Sequence, residues 1–237
     1  MRKSAKLLLL LAVAVTAPAN TARPMDQDNP TCPAQHSWSK NTKMEFTPMQ
    51  QSGSLILLAE GPVDSALPQR LEKALADHPT VSEIWFRSQG GDARAGNKAG
   101  LILRKKGAGI ITRIPAGWTC FSACNFVFLG GQLRVVEEGA YFMVHMFTMT
   151  GQRDVINSSL AEGVSSTVEM IGNVEQDSAQ LATEDNDFMI RMGVSRKLLK
   201  EVMYKQKAVR GEGKDKSTAR CLTQGEALKY NVANVES

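Results

Sequence analysis

Three short stretches carry side chains that could do chemistry together. The first is Thr119-Cys120-Phe121-Ser122-Ala123-Cys124-Asn125-Phe126-Val127-Phe128-Leu129-Gly130-Gly131, nearly all apolar or small, with the hydroxyl of Ser122 at a turn between two ordered segments. The second is Ser88-Gln89-Gly90-Gly91-Asp92, where a glycine pair closes a strand. The third is Met143-Val144-His145-Met146-Phe147, which sets an imidazole inside an apolar strand. A serine hydroxyl is a weak nucleophile until a base takes its proton. A developing oxyanion needs N–H donors, which a glycine turn can bring close to the substrate. Ser122 as nucleophile, His145 as base, and the amides of Gly91 and Ala123 as donors would make an acyl-transfer site. The Ala123 amide would also lie at a helix N-terminus, where the peptide dipoles favour negative charge.

Each part has a plainer reading. A small residue such as Ser122 packs well between helix faces, and the elbow pattern GxSxG is absent, since positions 120 and 124 are cysteines. A histidine in an apolar strand is often bonded to a backbone carbonyl, and glycine pairs mark many turns. The other histidines after the first 19 residues, His36 and His78, fall in a polar segment and at a helix end. Lys98, Lys105 and Lys106, the alternative bases, lie on an amphipathic helix and read as solvated.

Residues 1–19 have the form of a signal peptide, with Arg2, Lys3 and Lys6 ahead of the apolar run Leu7–Val15, too short to span a bilayer. Ala17-Pro18-Ala19 offers the cleavage site and Ala22 a second one. Cleavage predicts export, to the periplasm. Without its three basic residues, the formal charge falls from +4 to +1. That gives no reason to expect nucleic acid or an acidic membrane as partner. The basic residues between Arg196 and Arg220 are interrupted by Glu201, Glu212 and Asp215 and read as a solvated surface.

Four cysteines in an exported chain permit disulfides, in three pairings among which the sequence does not choose. A Cys32–Cys221 bridge would tie both ends to the core. The i, i+4 spacing of Cys120 and Cys124 reads as separate structural roles, and an oxidising compartment argues against either as a nucleophile. No CxxC pair or histidine cluster accompanies them, so no metal is expected.

Residues 20–53 form an extended polar lead-in, and 54–237 one domain. Its first part alternates strands and helices: Ser54–Ala59, a helix over Ser65–Asp77, Val81–Arg87, a helix over Ala93–Lys106, and Gly109–Ile114. The Ser122 segment reads as a buried helix to Leu129, followed by short strands at Leu133–Val136 and Tyr141–Phe147. One long helical stretch is expected from Asp154 to Met192, with an apolar stripe through Val164, Val168, Ile171, Val174, Leu181, Phe188 and Met189. Ser195–Tyr204 and Thr223–Tyr230 complete a helical C-terminal part, separated by a basic loop. This is the α/β class, with βαβ units and a largely parallel sheet. Function in such sheets gathers on the turns after the strands, where Gly90-Gly91 and Ser122 both fall.

The order strand, S-x-G-G, helix, strand, small-residue stretch with a serine before a buried helix, then a strand with M-x-H resembles the Clp protease proteolytic subunit and the wider crotonase-like superfamily. The residues that carry it are Ser88-Gln89-Gly90-Gly91, Cys120-Phe121-Ser122-Ala123-Cys124, Met143-Val144-His145 and the closing Cys221-Leu222-Thr223-Gln224-Gly225-Glu226-Ala227-Leu228-Lys229-Tyr230. The likeness runs from about Ser54 to the C-terminus and is nearest to a secreted branch. It implies a Clp-protease/crotonase-like fold, Ser122 as nucleophile, His145 as general base, Gly91 and Ala123 as oxyanion donors, and no cofactor. It also implies peptide or unfolded protein as substrate and assembly as a homo-oligomer. The periplasm holds no ATP pool, so no ATPase partner is expected, and coenzyme A is not expected there either.

Two departures stand out. Gln89 occupies the place of the family's usual proline. Thr218, Ala219 and Arg220 occupy the neighbourhood of the aspartate that orients the histidine in proteolytic members. Asp215 is nearby but several residues early, and Asp185 and Asp187 are more distant carboxylates, so the third member of a triad is left open. A degenerate member acting as a binding or assembly module is therefore the alternative function. The relatives that pair serine with lysine would require one of the three solvated lysines.

Overall fold

The computed structural model describes residues 24–26, 31–150, 152–207 and 218–236. The signal-peptide reading of 1–19, the cleavage option at Ala22 and the carboxylate of Asp215 lie outside the described residues. The chain adopts the expected α/β class, with βαβ units leading into a helical C-terminal part.

Its first layer is a five-stranded sheet. β1 (Glu45–Gln51) pairs antiparallel with β2 (Ser54–Glu60). β2, β3 (Glu83–Arg87), β4 (Ile111–Ile114) and the later β6 (Leu133–Val136) are parallel, in the order β1-β2-β3-β4-β6. β1 falls within the lead-in of 20–53. It holds the sheet's edge, where Pro48 is tolerated and where polar Gln50 and Gln51 suit a strand with one open side. Helix α1 (Leu67–Asp77) joins β2 to β3, with Leu67, Leu71 and Leu75 buried and Pro79 just beyond its end. Helix α2 (Ala93–Lys106) joins β3 to β4. Asp92 caps it, accepting the Ala95 N–H at 2.9 Å.

Ser122 lies at a turn between two ordered segments, as expected, and the buried helix to Leu129 starts just after it; the segment before it is a strand that the pattern did not distinguish. β5 (Thr119–Phe121) runs into Ser122, and α3 (Ala123–Leu129) follows it. β5 belongs to a second sheet, ordered β5-β7-β8, with β7 (Tyr141–His145) parallel to β5 and β8 (Ala219–Leu222) antiparallel to β7. β8 includes the end of the stretch expected as a basic loop. Local pattern could not show this sheet, because its three short strands find their partners only across long sequence separations. A bridge between Ser88 and Cys120 joins the two sheets: Ser88 N–H donates to Thr119 at 2.9 Å, and Phe121 N–H to Ser88 at 3.0 Å. That bridge brings the glycine turn alongside Ser122. Phe86, Phe128 and Phe142 pack in series through the core, the first pair edge-to-face and the second tilted, with ring centroids 6.3 and 5.8 Å apart.

The helical part differs from the single long helix expected. α4 (Arg153–Glu162) ends at Gly163, whose φ of 112° no helix accommodates, and α5 (Val164–Arg191) starts afresh. Only the end of α5 joins the core, through Phe188 and Met189. Val164, Val168 and Ile171, expected on a buried stripe, are exposed. α6 (Arg196–Glu201) is capped by Ser195, and α7 (Gln224–Lys229) by a reciprocal pair of bonds between Thr223 and Glu226. Arg134, 1% exposed, ties the C-terminus to β6 by donating to the carbonyls of Gly131, Asn231 and Val232 at 2.8–2.9 Å. Among the described residues, no helix is long and apolar enough to cross a membrane.

Candidate active site

Ser122 occupies the junction of β5 and α3 with φ 56° and ψ −124°. A non-glycine residue reaches that region at a cost on the order of 1–3 kcal/mol, so its surroundings must impose it. On one side the Ser88 bridge fixes Phe121. On the other, Asn125 N–H donates to the Ser122 carbonyl at 2.9 Å. Cys120 and Cys124 are bonded to each other across the serine, and Cys32 is bonded to Cys221. The separate roles expected for Cys120 and Cys124 are thus replaced by one shared bond, which the sharp bend at Ser122 makes possible by drawing strand end and helix start together.

A sharp turn at serine usually requires small neighbours in sequence. Here the clearance comes from elsewhere. A Cβ at Gly90 would lie 2.7 Å from Ser122 Cβ and 2.9 Å from Ala123 N, so only glycine lets the turn after β3 reach the elbow.

His145, the last residue of β7, places Nε2 2.8 Å from Ser122 Oγ. The Phe121 ring packs against the imidazole with centroids 4.6 Å apart. Burial holds the His145 pKa below its ordinary 6.5, and a backbone hydrogen bond at Met146 partly opposes this. A neutral imidazole with its proton on Nδ1 accepts the serine proton at Nε2.

The two sequence-expected donors are both at hand. Val63 N–H donates to Gly90 and Asp92 N–H donates to Val63, each at 2.9 Å, so the intervening Gly91 N–H is directed away from Val63. Ala123 opens α3, where N–H groups have no intrahelical acceptor. Neither N–H has a backbone acceptor among the described residues.

Gly91, Ser122 and His145 border one cavity of about 290 Å³, whose walls include Phe126, Phe142, Val144, Leu181, Met189 and Met203. Of the carboxylates considered from sequence, Asp185 reaches this cavity, while Asp187 is exposed. Asp185 accepts a hydrogen bond from Asn97 Nδ2 at 3.0 Å. Burial pushes its pKa up to about 6 against the lowering effect of Asn97, and the charge of Glu184 adds to the rise. Ala219 is the residue paired with His145 across the β7–β8 ladder.

Lys98, Lys105 and Lys106 are exposed and border no part of the cavity. His36 pairs with Thr119 Oγ1 at 2.9 Å, and His78 caps the end of α1. Asn125 also lines the cavity and escaped sequence reasoning. Its signal was present, because it is the one polar side chain in the otherwise apolar run of α3. Among the described residues, no group of three His, Cys, Asp or Glu side chains converges as a metal site would.

The arrangement has what acyl transfer requires: a hydroxyl bonded to a neutral imidazole, two backbone N–H groups nearby, and an adjoining pocket. No family model matches the chain, and no curated protein is found similar to it. Among solved structures, a ClpP1 point mutant from Listeria monocytogenes superposes with a TM-score of 0.49 at 15% identity, over 77% of this chain and 90% of that chain.

Proposed function

We propose that the protein is an exported, periplasmic serine hydrolase that cleaves peptides or unfolded protein without an ATPase partner. The observation that carries this reading is the 2.8 Å contact between Ser122 Oγ and His145 Nε2 at a strained elbow. Ser122 Oγ attacks the scissile carbonyl carbon while His145 Nε2 takes its proton. The carbonyl oxygen becomes an oxyanion, met by the N–H groups of Gly91 and Ala123. Collapse breaks the C–N bond, and the imidazolium returns its proton to the leaving amine. Water, deprotonated by the same imidazole, then adds to the acyl carbon; the C–O bond to Ser122 breaks, and the imidazolium returns the proton to Ser122 Oγ. No cofactor takes part.

Export is supported by the form of residues 1–19 and by two disulfides, which persist in oxidising compartments. Self-association is supported by the α4–α5 arm, whose Val164, Val168 and Leu160 face solvent at 82%, 62% and 57% exposure.

A fluorophosphonate probe tests the hydrolase. Labelling of the wild type that both Ser122→Ala and His145→Ala abolish would establish an activated serine. No labelling of a folded wild type would reject it. A second reading, a binding module that keeps the fold, is favoured by one observation: alanine rather than a carboxylate faces His145 at position 219.

A further inference from the structure

The cavity beside Ser122 is mostly apolar, yet two residues that line it, Asp185 and Asn125, carry oxygen acceptors that acyl transfer does not use. Asp185 is held by Asn97 through Oδ1, which leaves Oδ2 for a ligand. Asn125, 6% exposed and one turn along α3 from Ser122, donates Nδ2 to the Met143 carbonyl at 2.7 Å. That bond fixes the amide's orientation and makes Oδ1 the remaining acceptor. Oδ1 is buried and has no partner among the described residues. Buried acceptors left in this way cost free energy until a donor reaches them.

We propose that this cavity recognises the side chain of a lysine or arginine at the residue whose carbonyl Ser122 attacks, with Asp185 as counter-ion and Asn125 Oδ1 as a second acceptor. The proposal rests on the hydrolase reading of Ser122 and His145. The methylene stem of either side chain suits walls such as Phe142, Leu181 and Met189, while the charged head has donors enough for both oxygens. An apolar side chain of equal length would leave the carboxylate desolvated with only the Asn97 hydrogen bond and no counter-ion. Sites with a built-in polar partner reject such analogues strongly.

The other charged groups on the cavity agree with a cationic ligand. Asp92 at the rim adds a second carboxylate. Arg94, also at the rim, is exposed and paired with Glu184 at 3.3 Å, so it does not neutralise Asp185. His145 is kept neutral near pH 7 by burial. Protonation of Asp185 near pH 6 should weaken the preference in mildly acidic solution.

Two measurements on the purified protein test this. The first is turnover of fluorogenic peptide amides carrying Lys, Arg, Leu or Glu on the acyl side, by the wild type, Asp185→Asn and Asp185→Glu. The expected preference for Lys and Arg over Leu is about tenfold or more in kcat/KM, largely lost in Asp185→Asn and partly kept in Asp185→Glu. The second is a fluorescence titration with p-aminobenzamidine, a cation that needs no turnover. It should bind the wild type and Ser122→Ala alike and bind Asp185→Asn about tenfold or more weakly. A fluorophosphonate-labelled enzyme that prefers Leu, or prefers nothing, overturns the inference while leaving the hydrolase intact. If Ser122 is not labelled, the hydrolase reading fails and the amidine titration decides alone. Absent or Asp185-independent binding then overturns the inference.

Discussion

Ala219 stands directly across the β7–β8 ladder from His145. Paired residues share a face of the sheet, with Cβ atoms about 5 Å apart. A carboxylate at 219 would therefore be within reach of the imidazole. Ala219→Asp is expected to raise kcat/KM on the order of tenfold, by holding the tautomer that leaves Nε2 free to accept. The added negative charge should also move the acid limb of the pH profile upward. Unchanged activity and an unmoved limb would mean that orientation of His145 is not what limits this site.

His145 itself sets a second expectation. Its pKa is depressed by burial, so the base is deprotonated throughout the neutral range. The acid limb of kcat/KM for wild type should fall below 6.5, and His145→Ala should remove both the limb and the activity. Stability follows the same sign. The unfolded chain binds this proton more readily, so the contribution of neutral His145 is complete above pH 6.5 and declines as pH falls through and below it. A limb above pH 7 would contradict the buried setting of the ring.

Asp185 makes the opposite contribution. Its folded pKa, about 6, lies above its ordinary 3.8, so the folded state holds the proton more tightly. Stability from this group is present below 3.8, is lost as pH rises towards 6, and above 6 the ionised side chain is a net cost. At about 1.4 kcal/mol per pH unit, that cost is on the order of 3 kcal/mol at most. Asp185→Asn keeps an acceptor for Asn97 and should gain stability at pH 7.5, with the gain absent near pH 3.5. Urea denaturation at the two pH values checks it. A variant that gains stability and loses substrate discrimination would identify Asp185 as a residue retained for function.

The two disulfides should separate in their effects. Cys32 and Cys221 are 189 residues apart, whereas Cys120 and Cys124 are separated by 4. Loop-closure entropy assigns roughly 5 kcal/mol to the first and about 2 kcal/mol to the second. Cys32→Ala with Cys221→Ala should lower the denaturation midpoint more. Cys120→Ala with Cys124→Ala should instead reduce fluorophosphonate labelling, because it loosens the turn that presents Ser122. Equal losses of stability, with labelling intact in both, would refute this division.

The parts of the molecule legible in sequence share a physical origin. α2 is bounded by Asp92 at its start and Gly107 at its end, and β3 by its apolar centre Ile84-Trp85-Phe86 and the glycine turn after it, so local chemistry decides both. The Ser122–His145 contact was legible because polar side chains inside apolar segments need a reason to be there. The glycine turn was legible for a related reason, since close approach requires glycine. What escaped was decided at long range. Thr119-Cys120-Phe121 becomes β5 because Ser88 and Phe142 lie beside it, and nothing in its local pattern identifies it as a strand. Gly163 breaks the long helix although the apolar spacing continues past it, and that spacing misled the reading of Val164 and Val168. The partner of Cys120 could not be read because helical i, i+4 geometry does not apply across a bend.

The Cys32–Cys221 bond also changes what backbone cleavage means for this protein. Among the described residues, β1 to β7 lie inside the span it closes and β8 crosses its end at Cys221; Ser122 and His145 also lie inside, making that span a covalent ring. Any single cut between residues 32 and 221 opens the ring without releasing a fragment. The two new ends stay tethered, and the nicked molecule keeps its full mass until it is reduced. In a compartment shared with other proteases, or if the protein nicks itself, damage of this kind need not disperse the site.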